Sequence, residues 1–490
     1  MTSKNGLPYI LNSNPQYNSI CNELILISKI KNPINNNIKK FKGYREISLK
    51  CTSGGVKKGI NIPYYYALKK NIKINEKKTT TNPININFNT ELREQQVPPF
   101  TAALNTLKEE GACVLSAKTG SGKTVKSIKL IAELKVKTLI IVNKEFLLNQ
   151  WIERIKQFTD ITKVGILQGN KVETDYPIVI GMLQSIALKN YPYEVLSSFD
   201  FIIYDEVHNL AGDVFSNALF YIGKKRYSLG LSATPERLDG LENIYLWHLN
   251  KVLDFRSTIS TDKYPIIKTI TLNYESIPEN HTLYNGTTNS QKMLTDLVNN
   301  KVRNKLICDL VVDLCLNNSN RKVLLISSRR EHIQNLKKGI TERSINSTIT
   351  SGMYMGGMKN KELAISAEKD IIIGSISVIK EGFDVPDLNT LVIATPLSEV
   401  TQLVGRIFRK NHTTINPLII DLFDNYSMYI PQYYKRNRIY NKVLERNIKK
   451  KEFYTITNTE YIKTTTENTS SVDILNEKLE SFSFVYSSAI

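Results

Sequence analysis

Lys123 and Thr124 close the run Ala117-Lys-Thr-Gly-Ser-Gly-Lys-Thr124, and Asp205-Glu206-Val207-His208 follows a wholly apolar stretch further along the chain. Gly120 and Gly122 permit dihedrals and close approaches that a Cβ would block, so consecutive backbone N–H groups can turn toward one oxyanion. Ala117, Lys118, Thr119, Gly120, Ser121 and Gly122 therefore read as a cradle for phosphate. Lys123 is placed to neutralise β- and γ-phosphate oxygens, and the Thr124 hydroxyl to complete an Mg²⁺ shell that prefers hard oxygen ligands. Asp205 would hold Mg²⁺ through water, and Glu206 would orient or deprotonate the attacking water, because phosphoryl transfer is mostly positioning plus charge stabilisation. ATP with Mg²⁺ is the implied pair. A chance loop or a chance acidic turn alone would explain either run, but not both in this order and context.

The elements that must position these groups are legible too. Val114-Leu115-Ser116 ends a buried strand just before the loop, and Ile128, Ile131, Ala132 and Leu134 recur after it at helical spacing. Phosphates would then lie at a helix N-terminus, whose partial positive charge favours anions. Phe201-Ile-Ile-Tyr204 has the unbroken apolar character of a central parallel strand, and ligands in open α/β sheets bind at the carboxyl ends of such strands.

With 490 residues the chain has room for two or three domains. Its net charge of +19 raises the local concentration of polyanions, nucleic acid above all. Coding bias toward Lys, Asn and Ile is a second source of that charge without removing its electrostatic effect. Cys21, Cys51, Cys113, Cys308 and Cys315 are odd in number and lack Cys-x-x-Cys spacing, which fits a reduced compartment. No run approaches a membrane span and the start has no apolar signal core, so a soluble intracellular protein is expected.

Residues 1–89 read as a small, partly β accessory region. Over 90–256, strand candidates at Val114, Thr138–Val142, Ile178–Gly181, Phe201–Tyr204 and Tyr227–Leu231 alternate with helical patterns, which argues for one parallel sheet covered on both faces. A polar stretch, 257–300, reads as a linker. A second series over 301–427 places strands at Lys322–Ser327, Asp370–Ile373, Thr390–Ala394 and Leu418–Leu422. Residues 428–490 read as a basic amphipathic helix, with Tyr440, Leu444 and Ile448 as its apolar stripe, followed by a Thr/Asn/Ser-rich tail. The stripe would pack on the second domain, while the charged face and Tyr433 and Tyr434 are candidates for contact with nucleic acid. The fold class is α/β, two consecutive parallel-sheet domains, and only the first carries a phosphate loop.

Taken together, the motifs over roughly 92–409 resemble those of the superfamily 2 helicases. Leu92-Arg-Glu-Gln-Gln96 is similar to the motif preceding the phosphate loop, with Gln96 at the adenine-sensing position. Leu139–Trp151, Gly181–Ser185 and Ser232-Ala-Thr-Pro-Glu-Arg237 are similar to strand-contacting and coupling segments, and Val323–Ser328 to the segment opening the second domain. Glu381–Pro386, with Asp384 toward the nucleotide, resembles a motif touching both ligands, and Gln402–Arg409 the arginine-finger motif. The resemblance implies two RecA-like domains, with Arg406 and Arg409 stabilising charge on the γ-phosphate. Ser232 and Thr234 would couple hydrolysis to movement, although they also suit a turn before Pro235. His208 would pair with Gln402 on closure, where a lone His is otherwise commonly a satisfied core side chain. Ser185, Thr395, Arg329 and Arg330 are candidates for backbone contacts to a strand, and the arginine pair equally suits a solvated loop. Within the superfamily the DEVH form looks most like the XPB-type branch, including transcript-release helicases of poxviruses and related large DNA viruses. That branch implies 3′-to-5′ movement on DNA in viral transcription, an RNA polymerase or transcription-factor partner held by the N-terminal region or tail, and location in the virion and the host cytoplasm or nucleus. An RNA helicase, a DNA-repair remodeller and a nucleic-acid-binding scaffold with a residual ATP site are the competing readings.

Overall fold

Apolar runs too continuous to have a solvent face become interior strands of two sheets, covered by helices on either side. The computed structural model describes residues 3–31, 38–50, 56–74, 83–118, 120–189, 191–237, 239–256, 264–284, 286–383, 385, 387–408, 412, 414–444 and 447–464. The chain divides into two units, Met1–Ser257 and Thr258–Ile490.

In the first unit an 8-stranded sheet runs, edge to edge, Val252–Phe255, Ala112–Ala117, Tyr227–Ser232, Phe201–Tyr204, Thr138–Val142, Ile178–Met182, Gly165–Gln168 and Lys171–Val172. All neighbours are parallel except the last pair, a short antiparallel ladder. Ser116 is level with Ser232, and Gly230 with Tyr204, so three adjacent strands end within a few residues of one line. Leu115, Ile128, Ile131, Ile140, Trp151 and Ile203 form the core of one face. Val114, Leu139, Ile202, Leu219 and Tyr245 form the other.

The N-terminal region is β-rich, as expected. Tyr9–Leu11, Val56–Asn61 and Arg45–Lys50 make a 3-stranded antiparallel sheet, and Ile25–Lys31 pairs with Ile38–Lys42. It shares a core with the first sheet's helices, where Trp247 packs on Tyr66 edge to face at 5.6 Å. Tyr65 donates to the Glu110 carbonyl at 2.6 Å and accepts from Lys224 at 2.8 Å.

The second unit also has an 8-stranded sheet: Ser351–Tyr354, Ile371–Ser375, Val323–Ser327, Thr390–Ile393, Leu418–Asp424, Ile266–Tyr274, Ile448–Ile456 and Tyr461–Thr464. Two expectations need correction here. The stretch read as a linker supplies Ile266–Tyr274, an interior strand paired on both sides. The C-terminal extension is only partly helical: the helix spans Tyr429–Val443, and Ile448 begins a strand. The alternation in Ile-Ile-Lys-Thr-Ile-Thr-Leu was masked by polar flanks, and Lys449, Lys450 and Lys451 lie on an exposed stretch of strand.

That helix is also less of a charged surface than its composition implies. Arg436 is 1% exposed and makes a bidentate pair with Asp421, which is wholly buried in the Leu418–Asp424 strand, at 2.8 and 2.9 Å. Tyr433 is buried and stacked on Phe423 at 4.1 Å, so it is not available to a base. Asp424, three residues on, is clamped by buried Arg303 from the helix Lys301–Asn317. The two acids thus fasten two different helices to one strand by charge-assisted bonds. Among the described residues no helix is long and apolar enough to cross a membrane. Cys113, Cys308 and Cys315 are buried free thiols, each pushed up to about 12 by that burial. Cys51 and the tail over 465–490 lie outside the described residues.

Candidate active site

The strand Ala112–Ala117 runs into the loop, and the loop into the helix Lys123–Leu134. Gly120 and Gly122 have φ of 83° and 77°, the left-handed region that the sequence pattern requires of them. Gly122 caps the helix, so Lys123 and Thr124 occupy its first turn, where N–H groups have no intrahelical acceptor. Lys123 Nζ donates to the carbonyls of Ala117 at 2.9 Å and Lys118 at 3.4 Å, folding back over the cradle. Lys118 and Ser121 are in the described loop and Thr124 in the first turn of the helix, whereas Thr119 lies outside the described residues.

Gln96 is turned toward the same loop. Its Oε1 accepts from the Arg93 N–H at 3.0 Å, and its Nε2 points to the Ser121 carbonyl at 3.5 Å. Lys126, which the sequence reading did not single out, donates to the same carbonyl at 2.9 Å and is 1% exposed. Burial, with the charge of Lys123, lowers its ammonium to about 8. Its position four residues into the helix, on the face of Ser127 and Leu130, was the available signal.

Two strands across, Asp205 leaves the end of Phe201–Tyr204, its N–H bonded to the Ile141 carbonyl at 2.9 Å. Its Oδ1 accepts from the Glu206 N–H at 3.1 Å and its Oδ2 from the Trp151 indole at 2.8 Å. Burial and the neighbouring Glu206 charge push the Asp205 carboxyl up, while the Trp151 bond and Lys123 pull it down. The Lys123 ammonium therefore acts on the carboxylate across the intervening strand. Glu206 has φ 49° and ψ 59°, a left-handed conformation costing a non-glycine residue about 1–2 kcal/mol. Asn209 steadies it, both its N–H and its side-chain amide donating to the Glu206 carbonyl at 3.0 and 2.9 Å.

The strand between them, Tyr227–Ser232, ends in the third motif. Ser232 Oγ lies 3.2 Å from His208 Nδ1 and accepts from the Thr234 N–H at 3.0 Å, while His208 Nδ1 is 3.5 Å from a Glu206 carboxylate oxygen. Arg237 binds the His208 carbonyl at 2.6 Å and forks onto Asp239. The structure thus brings Lys123, Asp205, Glu206, His208, Ser232 and Thr234 to one end of one sheet. Arg237, the last residue of the segment read as coupling, and Asp239, to which no role was assigned, close the arrangement. Hard oxygens from Thr124 and Asp205 beside an N–H cradle are a donor set suited to Mg²⁺ with a triphosphate.

Ser185, on the helix Leu183–Leu188, accepts from the Gly169 N–H at 2.9 Å and remains partly exposed. In the second unit Arg329 binds Gln291 at 2.5 Å and exposed Arg330 the Gly356 carbonyl at 2.8 Å. Thr395 departs from the expectation that its hydroxyl faces a strand. It is wholly buried and its Oγ1 accepts from the Ser328 N–H at 2.9 Å, which makes it an organiser of the loop. Gln402 and Arg406 follow one another in the turns Thr401–Val404 and Gly405–Phe408. Arg406 is 4% exposed and donates to the Phe383 carbonyl at 2.8 Å, beside position 384. Arg409 and Asp384 lie outside the described residues.

A phosphate-type loop on one parallel strand with an acid pair two strands away defines a P-loop nucleoside triphosphatase. Residues 89–237 match the family described as type III restriction enzyme, res subunit. A protein of Acanthamoeba polyphaga mimivirus, named as an ATP-dependent RNA helicase, is 34% identical over 374 residues, spanning 74% of this chain and 71% of its own. The transcript termination protein of Yaba monkey tumor virus is 24% identical over 337 residues, spanning 64% and 68%. A solved fragment named as an HsdR subunit of a type I restriction enzyme from Vibrio vulnificus shares the fold, with a TM-score of 0.54 at 15% identity, over 91% of this chain and 83% of that one. The chain belongs to the superfamily 2 helicases and is an ATP-dependent enzyme of that family.

Proposed function

We propose that the chain is a translocase that moves 3′ to 5′ along DNA, driven by ATP, and serves viral transcription in elongation or transcript release. The observation that carries the reading is the approach of Glu206 and Ser232 to one His208 nitrogen, 3.5 Å from the Glu206 carboxylate and 3.2 Å from the Ser232 hydroxyl, which sets the acid pair beside the coupling motif at the ends of adjacent strands. The likeness of the motif set to the XPB-type branch supports DNA and the polarity, and the likeness to a transcript termination protein supports the transcription role. The name of the mimiviral relative favours the alternative of an RNA strand.

Bound Mg²⁺ would supply charge neutralisation at the phosphates, held by the Thr124 hydroxyl and, through water, by Asp205. The N–H groups from Lys118 to Thr124 bind the phosphate oxygens, and Lys123 exchanges its carbonyl partners for them. Glu206, held in place by its strained backbone, aims its carboxylate at the attacking water and takes its proton. Arg406 and Arg409 offset charge developing on the γ-phosphate, and Gln402 with His208 registers the bound state. Ser185, Arg329 and Arg330 bind the strand, with contacts that weaken as salt rises. A polymerase or transcription factor engages the N-terminal region or the tail, within the virion and the host cytoplasm or nucleus.

The test is ATP turnover with matched single-stranded DNA and RNA, followed by unwinding of substrates tailed at either end. DNA should stimulate the parent protein strongly, and Glu206→Gln should lose turnover while keeping strand affinity. Turnover indifferent to both polymers would refute a motor, and a parent without any turnover would favour a scaffold.

A further inference from the structure

The Asp205 carboxylate is held by an element that also reaches the strand-contacting segments. Trp151 is 1% exposed on the helix Glu145–Phe158, and its indole N–H donates to Asp205 Oδ2 at 2.8 Å. An indole has one donor and no acceptor, so this contact can be made only to an oxygen with a lone pair turned toward it. The other carboxylate oxygen takes the Glu206 N–H, which leaves the group no rotational freedom about its terminal bond.

The helix that carries Trp151 starts just after Asn143 and Lys144, at the end of the Thr138–Val142 strand. There the Asn143 carbonyl accepts from Gln184 Nε2 at 2.6 Å. Gln184 precedes Ser185 on the short helix Leu183–Leu188. A continuous run of bonds and one rigid helix therefore connects Ser185 and Gln184, through Asn143, to Trp151 and Asp205. Ile141, at the end of the same strand, also accepts the Asp205 N–H, so a shift of the helix on its strand changes the distance at the indole and not at the backbone.

We propose that Trp151 is a positioning residue that transmits engagement of a nucleic-acid strand at the Gln184–Ser185 helix to the orientation of the Asp205 carboxylate. The inference rests on the reading of Asp205 as the holder of Mg²⁺ in a strand-stimulated ATPase.

Trp151→Phe keeps an aromatic ring in the core and removes the donor together with part of the ring volume, so a thermal melt accompanies it to confirm the fold. Loss of a bond to a charged acceptor should raise the Mg²⁺ concentration for half-maximal turnover, and lower the DNA-stimulated kcat, by about tenfold. KM for ATP at saturating Mg²⁺ should stay within threefold. In a double-mutant cycle with Gln184→Ala, which cuts the link at Asn143, the two losses of stimulation should be less than multiplicative. A second measurement leaves position 151 intact. The chain has two tryptophans, and Trp247→Phe, in the N-terminal core, leaves Trp151 as the sole indole emitter. Its emission should change when single-stranded DNA is added without nucleotide, and the change should be lost in Gln184→Ala. Unaltered Mg²⁺ dependence and stimulation in Trp151→Phe, or unaltered emission on strand binding, would reduce Trp151 to a packing residue and overturn the inference. Absence of strand stimulation in the parent protein would instead overturn the motor reading beneath it.

Discussion

Gly122→Ala is the sharpest probe of the nucleotide cradle. A Cβ at this position would sit 2.0 Å from Gln96 Nε2, and the residue has φ of 77°. The clash alone is avoidable, because the amide is the far end of a flexible side chain, but swinging it away gives up its bond to the Arg93 N–H at 3.0 Å. A lost hydrogen bond costs about 1 kcal/mol and left-handed alanine about 1–2 kcal/mol, together about 2–3 kcal/mol. The variant loop relaxes toward negative φ and misaims the first N–H groups of the helix, so a nucleotide must restore the strained form before it binds. Apparent affinity should then fall by about 30- to 150-fold. Equilibrium titration with a fluorescent ATP analogue measures this without turnover, and a thermal melt checks that the fold persists. In a Gln96→Ala background the clash has no target, and the same substitution should cost only about 5- to 30-fold. A dissociation constant within threefold of the parent in both backgrounds would refute the assignment of this loop to phosphate.

Acid stability offers an independent check on the first unit. His248 is buried edge to face against Phe220 at 4.9 Å, and burial lowers it to about 3. The folded state keeps it neutral while the unfolded chain protonates near pH 6.5, so its contribution is full above that pH and is lost as pH falls toward the folded value. Between pH 7 and 5 this amounts to about 2 kcal/mol. The parent should therefore lose several degrees more of its melting temperature over that interval than His248→Phe, and equal losses would count against a neutral imidazole there. In the second unit, Arg436→Met leaves the Asp421 carboxylate buried without its cation and should destabilise by about 3–5 kcal/mol in urea. Adding Asp421→Asn should recover most of that loss; a single variant costing under 1 kcal/mol would mean the pair is solvated.

What the sequence disclosed and what it withheld divide along physical lines. Lys123, Asp205, Glu206, His208 and Ser232 were legible because phosphate chemistry constrains residue type and local spacing together. The strands that carry them were legible because burial on both faces leaves no polar position. Ile266–Tyr274 alternates in polarity only over its second half, from Ile270, and was read with its polar neighbours as a linker, while Ile448–Ile456 exposes its lysines and so lacks an apolar signal. Arg436 looked like surface charge, yet the counter-signal was present in Leu418-Ile-Ile-Asp-Leu-Phe-Asp424, where two acids interrupt a strand that otherwise reads as wholly interior. Each needed a buried cation, and only tertiary structure says which helix provides it. The Trp151 to Asp205 bond joins positions far apart in sequence, and nothing local to either announces it.

The strain at Glu206 explains why these contacts occur together. A left-handed residue directly after a buried strand reverses the chain sharply enough to leave Asp205 at the strand end and still return His208 to Ser232. With an extended or helical Glu206, the strand and the following turn, Val207–Ala211, would carry His208 away from the neighbouring strand. Strain of about 1–3 kcal/mol persists only where its surroundings over-determine it. Here the two Asn209 bonds, the Arg237 bond to the His208 carbonyl and the Asp205 bond to the Glu206 N–H do so. Glu206, the acid we propose aims at water, is thus fixed by bonds to its backbone, and its carboxylate lies beside the same His208 nitrogen that Ser232 approaches.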